Sequence, residues 1–226
     1  VNPAACLKAA AVALRRQYLR RLEAYFFKGV GMKRTLISSL TALAVTGGVA
    51  NAQSFELSSS DIAAGQPIGQ RFVFNGFGCT GQNISPALSW KNAPADTKSF
   101  AVMVHDPDAP TGGAGFWHWV VVNLPATTTS LAQGAGTADG KLLPTGAQQI
   151  ATDFGTPGWG GPCPPAGDPP HRYNVTVYAL KVEKLELPSN ATASLTGFMV
   201  NGNTIAKATL SARFGQLVHQ HASLET

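Results

Sequence analysis

Two stretches decide the fold: Ser99-Phe-Ala-Val-Met-Val-His105 and Trp117-His-Trp-Val-Val-Val-Asn123. Both are short, rich in β-branched and aromatic residues, and end in turn-forming sequence, the signature of strands in a packed sheet. A third run, Tyr173-Asn-Val-Thr-Val-Tyr-Ala-Leu180, sets Val175, Val177 and Ala179 on one face. Arg71–Phe74 reads as a further strand and Ala206–Phe214 as a last one, with a helix over Thr192–Val200 capped by Ser189 or Asn190. Pro86, Pro94, Pro107, Pro110 and Pro125 close the segments. No βαβ alternation occurs. Several short strands at this spacing predict a mainly β protein, an antiparallel sandwich with one or a few short helices.

The N-terminal part has a different character. Met32, Lys33 and Arg34 open a secretory signal, Thr35–Val49 is its apolar stretch, and Ala50-Asn51-Ala52 is a small-x-small cleavage site. Residues 32–52 are therefore read as a signal peptide cut near Ala52/Gln53, and residues 53–226 as one domain. Residues 1–31 are Arg-rich and nearly free of acid. They read as an upstream segment outside the native protein, with an amphipathic membrane-surface or targeting helix as the alternative. Export to the periplasm of a Gram-negative cell, or secretion, is the expected location.

This division reverses the charge. The chain carries 17 basic and 12 acidic residues; residues 1–52 hold eight of the basic ones and only Glu23 of the acidic, which leaves 9 and 11 beyond them. A net of −2 removes the electrostatic case for nucleic-acid binding. Membrane contact is expected to be peripheral at most. Of three cysteines, Cys79 and Cys163 follow the cleavage site. An even pair in an exported chain is most simply one disulfide, two buried thiols being the alternative.

Two segments carry chemistry. Asp106-Pro-Asp-Ala-Pro110 leaves a strand with two carboxylates on a proline-stiffened loop, and the chain returns with His118 in an aromatic strand. A carboxylate near an imidazole favours its charged form, which grips anions. Gly160-Gly161-Pro162-Cys163-Pro164-Pro165-Ala166-Gly167-Asp168-Pro169-Pro170 holds five prolines within nine residues, so it is a rigid loop, with glycine N–H groups suited to an anion nest. His171-Arg172-Tyr173 follows it. Asp108 and Arg172 are read as a structural pair, His105 as a structural neighbour, Trp90, Trp117 and Trp119 as core or pocket wall, and Trp159 as exposed near the pocket mouth. His219 and His221 are read as solvent-exposed.

These segments, with Asn83-Ile-Ser-Pro-Ala-Leu-Ser-Trp90, resemble the phosphatidylethanolamine-binding protein (PEBP) family in its bacterial Raf-kinase-inhibitor-like branch, over about Phe55–Phe214. The resemblance implies a central antiparallel sheet packed on a smaller one. It also implies a pocket for phosphate-like anions or phospholipid head groups, with Asp106, His118, Pro164, Pro165, His171 and Tyr173 as ligand-binding residues. No catalytic residue, metal or cofactor is implied. Animal members close the pocket with a last helix, whereas Gly215–Thr226 has no such periodicity, so a more open pocket is expected. Two other functions stand beside binding. One is an inhibitor of an extracytoplasmic protease or a partner of a host protein. The other is a hydrolase, using either a metal held by Asp106, Asp108, His118 and His171 or a Cys163–His171 thiol dyad.

Overall fold

A computed structural model describes residues 53–216. The expectations for residues 1–52, and for His219 and His221, lie outside the described residues. In chain order the elements are β1 (Glu56–Ser58), a 3-10 turn (Gln70–Phe72), β2 (Asn75–Gly76), β3 (Cys79–Thr80), β4 (Leu88–Lys91), β5 (Ser99–Asp106), β6 (Phe116–Pro125), β7 (Ser130–Leu131), β8 (Gln148–Gln149), β9 (His171–Leu180), α1 (Ala193–Asn203) and β10 (Thr204–Phe214). They form a five-stranded sheet in the order β10-β9-β5-β6-β8, a three-stranded sheet β1-β4-β7, and the hairpin β2-β3. Every ladder within these sheets is antiparallel.

Strand β5 is central, and it is apolar from Phe100 to Val104 because both of its faces are covered there. Phe100, Val102 and Val104 point to a core shared with Leu88, Trp90 and Leu131 of the small sheet. Ala101 and Met103 point the other way, onto Leu185, Ala193 and Val200 under α1. Each such side chain taken fully from water contributes about 1.5–3 kcal/mol. The mainly β, two-sheet architecture is the expected one.

Strand β6 keeps both faces supplied by a bulge. Phe100 pairs with Leu124 and Val102 with Val121, so one residue is extra, and Asn123 takes a φ of +58° there. Its carboxamide is occupied: Oδ1 accepts from the Leu185 N–H at 2.8 Å. The shift returns Leu124 to the same core as Trp119 and Val121.

Three local expectations change. Arg71–Phe74 is not a strand but a 3-10 turn followed by extended chain. It lies against the glycine loop, where the Phe74 N–H donates to Pro162 O at 3.1 Å. Helix α1 is capped by Thr192, whose Oγ1 accepts from Leu195 N at 3.1 Å, rather than by Ser189 or Asn190. Trp159 is buried, not exposed. Its indole N–H reaches Phe72 O at 3.1 Å and its ring meets Trp119 edge-on.

Candidate functional site

The site lies where one end of β5 meets the starts of its two neighbours. Antiparallel pairing puts Asp106 opposite Phe116 and His105 opposite both Trp117 and Asn174. His118 and His171 therefore flank Asp106 from either side. Asp106, His118 and His171 are all at most 4% exposed, and with Tyr173, Pro164 and Pro165 they line one cavity of about 250 Å³. The structure brings together all six residues the sequence singled out.

Asp106 does two jobs. Its Oδ1 accepts from the N–H groups of Asp108 (2.8 Å) and Ala109 (3.1 Å), which fixes the Asp-Pro-Asp-Ala-Pro loop as an Asx turn. Its Oδ2 accepts from His171 Nδ1 at 2.7 Å. The other ring nitrogen of His171, Nε2, lies 3.5 Å from Asp168 Oδ2. His171 thus lies between two carboxylates, hydrogen-bonded through Nδ1 to Asp106 and at ion-pair distance from Asp168 through Nε2.

His118 has a different partner from the one its sequence neighbourhood suggests. Its Nδ1 lies 2.6 Å from Gly160 O, a carbonyl that only accepts, so Nδ1 carries the proton. Burial lowers its pKa to about 4, outweighing the raising effects of that carbonyl and of Asp106. The ring is neutral near pH 7 and Nε2 is an acceptor. The carboxylate-paired imidazole is His171, not His118.

Tyr173 is 1% exposed, and its hydroxyl makes no hydrogen bond of good geometry, the nearby Asp106 carboxylate being only a poorly aligned acceptor. Burial, then the charge of Asp106, pushes its pKa up, so it remains an O–H donor. An unpartnered buried hydroxyl costs about 1–3 kcal/mol. In a cavity wall it is a donor without a well-aligned acceptor.

The glycine loop does not form the expected nest at Gly160 and Gly161. The Gly160 N–H donates to His118 O (2.9 Å), and the Gly161 N–H to Asn83 Oδ1 (2.8 Å). These glycines serve close packing. A Cβ on Gly160 would lie 2.1 Å from the Phe154 ring, and one on Gly161 2.1 Å from Phe72 O. Asn83, at φ +52°, also donates to Trp159 O (3.1 Å), so its side chain holds the loop at two points.

Cys79 and Cys163 are bonded, with Cα atoms 6.0 Å apart, which ties the loop to β3. Cys163 therefore has no thiol to pair with His171. Asp108 is turned to Arg172, which donates Nε to Oδ2 (2.8 Å) and an η nitrogen to Oδ1 (2.6 Å). This is the structural pair expected, and the guanidinium holds the Asp108 pKa down to about 2. The four-residue convergence of Asp106, Asp108, His118 and His171 is thus not formed. Among the described residues no group of three or more His, Cys, Asp or Glu is placed to hold a metal ion. His105 is structural as expected: Nε2 meets Ala114 O at 3.0 Å and the ring lies on Trp117. Trp90 and Trp119 are core, and no tryptophan lines the cavity.

The remaining wall was not foreseen. Phe77, Phe116 and Phe154, with Ala109, Pro110 and Thr111, complete it. The aromatics come from the β2–β3 turn, the start of β6 and the segment after β8, and no motif links them.

A two-sheet antiparallel fold with an aspartate–histidine pair, a neutral histidine and a buried tyrosine hydroxyl around one small cavity has the form of a β-type binding protein. The sequence profile of the family Phosphatidylethanolamine-binding protein matches residues 58–215, and the chain belongs to that family. It is 52% identical over 178 residues to the UPF0098 protein YbcL of Escherichia coli K12, covering 79% of this chain and 96% of that one. The crystal structure of YbcL, described as a new member of the mammalian PEBP family, superposes with a TM-score of 0.70 over 73% of this chain and 99% of that one. The UPF0098 protein YbhB of the same organism is 47% identical over 159 residues, 70% of this chain and 99% of that one. A putative lipoprotein, LppC of Mycobacterium tuberculosis, is 39% identical over 142 residues, 62% of each chain.

Proposed function

We propose that this chain is an exported binding protein whose cavity takes a phosphate-like anion or a phosphorylated head group, without catalysing its cleavage. The observation that carries this reading is the buried, unpartnered Tyr173 hydroxyl in the cavity wall. A phosphoryl oxygen supplies the well-aligned acceptor it lacks. His171, whose Nδ1 is taken by Asp106, has Nε2 left to add a second donor when both ring nitrogens carry protons. Neutral His118 accepts from the P–O–H of a monoprotonated phosphate or from a head-group ammonium. The three groups are complementary to a ligand that both donates and accepts.

The bonded Cys163 and the Arg172-paired Asp108 support binding over hydrolysis. Export is supported by the signal-like residues 32–52 and by the relative named a putative lipoprotein. Among the described residues, no helix is long and apolar enough to cross a membrane.

Calorimetric titration with inorganic phosphate, methyl phosphate and phosphoethanolamine at pH 6 and 7.5 tests the reading. The expected result is saturable binding at both pH values, at least tenfold weaker in Tyr173→Phe. Absence of binding to all three, or binding indifferent to Tyr173, overturns it. Phosphate release from p-nitrophenyl phosphate by the purified protein overturns the non-catalytic part.

A further inference from the structure

The turn between β2 and β3 holds the most unusual residue near the site. Gly76 pairs with Cys79, so the hairpin loop is two residues, Phe77 and Gly78, with φ of +52° and +88°. Positive φ at both central positions is the type I′ turn, whose first position normally takes Asn, Asp or Gly. Here it takes a phenylalanine, and the ring is 76% exposed. The residue thus incurs both a backbone cost and the cost of an apolar side chain in water, an outlier of the kind that collects at ligand clamps.

The surroundings give this ring a purpose. Phe77 and Phe154 line the phosphate-like cavity, and both also line a second one of about 420 Å³, whose other walls include Phe74, Gln82, Thr137 and Pro157. The Phe77 and Phe154 rings are nearly parallel, 11° apart with centroids at 6.0 Å, and Phe74 leans on both. Two cavities therefore share an aromatic partition, one with donors and acceptors for a phosphate, the other with ring faces and an amide. The partition is held in place, because the disulfide joins Cys79, next to the turn, to Cys163 in the wall of the first cavity.

We infer that Phe77 is a specificity-determining residue that selects phosphoesters whose ester substituent is a flat, unsaturated group. The phosphate lies in the first cavity and the substituent runs along the Phe77 ring into the second. This deepens the head-group reading and rests on it. The exposed ring face accounts for the cost of Phe77 only when a ligand covers it.

The test compares methyl phosphate with phenyl phosphate by calorimetry, in the wild type, Phe77→Asn and Phe77→Tyr. Asn suits the type I′ turn, so the first variant removes the ring and leaves the hairpin intact. The wild type is expected to bind phenyl phosphate about tenfold more tightly than methyl phosphate, the worth of one aromatic stack. Phe77→Tyr keeps that ratio. Phe77→Asn brings it to near one. If methyl phosphate binds but phenyl phosphate has no advantage, or keeps its advantage in Phe77→Asn, the inference about Phe77 fails alone. If neither ester binds the wild type, the head-group reading fails and takes the inference with it.

Discussion

The neutral state of His118 has a measurable price in acid. In the unfolded chain a histidine takes up its proton near pH 6.5, whereas burial of His118 delays protonation in the folded protein to about pH 4. Between these values the unfolded state binds the extra proton and the folded state does not, so stability rises with pH across the window. The contribution is complete above about pH 6.5 and is lost progressively as pH falls toward 4. Two and a half pH units at about 1.4 kcal/mol each make a loss of about 3 kcal/mol by pH 4. Other groups titrate in the same range, so the assay is a difference. Urea denaturation of the wild type and of His118→Gln is measured at pH 7.5, 5.5 and 4. The wild type is expected to lose about 3 kcal/mol more than the variant over that interval, roughly half of it by pH 5.5. A proton NMR titration of the wild type is expected to show one histidine unmoved between pH 8 and 5, with its Nδ1 protonated. A His118 resonance titrating near pH 6.5, or equal acid sensitivity in the two proteins, would refute the burial argument and with it the assignment of Nε2 as an acceptor.

Other outcomes follow from neighbouring groups. Tyr173→Phe removes a buried hydroxyl that has no well-aligned partner in the ligand-free protein, so the variant is expected to be more stable to urea by about 1 kcal/mol while it loses phosphate affinity. Asp106→Ala removes the partner of a buried histidine and the acceptor of two loop N–H groups, a loss of about 3–5 kcal/mol in the same assay. Cys79→Ser with Cys163→Ser opens a loop of sequence separation 84, which chain-entropy arithmetic puts at about 4.5 kcal/mol, read as a lower thermal midpoint. Asp108→Ala breaks a half-exposed ion pair and is expected to cost under about 1 kcal/mol at pH 7, with the difference vanishing as pH falls toward 2, where Asp108 is protonated.

The parts of this molecule that sequence reveals are the ones with many residues saying the same thing. Strands β5, β6 and β9 run eight to ten residues, and most of their positions are buried. Strands β2, β3, β7 and β8 have two residues each; β7 and β8 lie beside the longer β4 and β6, and β2 and β3 pair only with each other. Two residues carry no periodicity. The polar half of the site was legible because Asp106, His118, His171 and Tyr173 sit in local motifs at strand ends. The aromatic half was not, since Phe77, Phe116 and Phe154 meet only through tertiary packing. Charge placement fell between the two. Proximity in sequence joined the carboxylate loop to His118, while the sheet joined Asp106 to His171, 65 residues away. The glycines of the loop pointed to close backbone approach, which holds, but not to what approaches them.

The junction of β5 with β6 and β9 has a consequence for how such a protein diversifies. Adjacent strands stand about 4.8 Å apart, a spacing set by backbone hydrogen bonds rather than by side chains. The polar groups of the site are mounted on that lattice, and their separations are as constant as the ladder itself. A residue inserted within a strand would exchange its inward and outward faces and empty the core. Recolouring Phe77 or the loop tip at 110–114 disturbs no ladder, whereas the segment 160–170 is pinned by the close packing of Gly160 and Gly161 and by the disulfide. The sheet is thus a fixed gauge carrying an unchanging polar grip, and the tips of the two free loops are its adjustable jaws, set against the fixed jaw of the disulfide-tied segment.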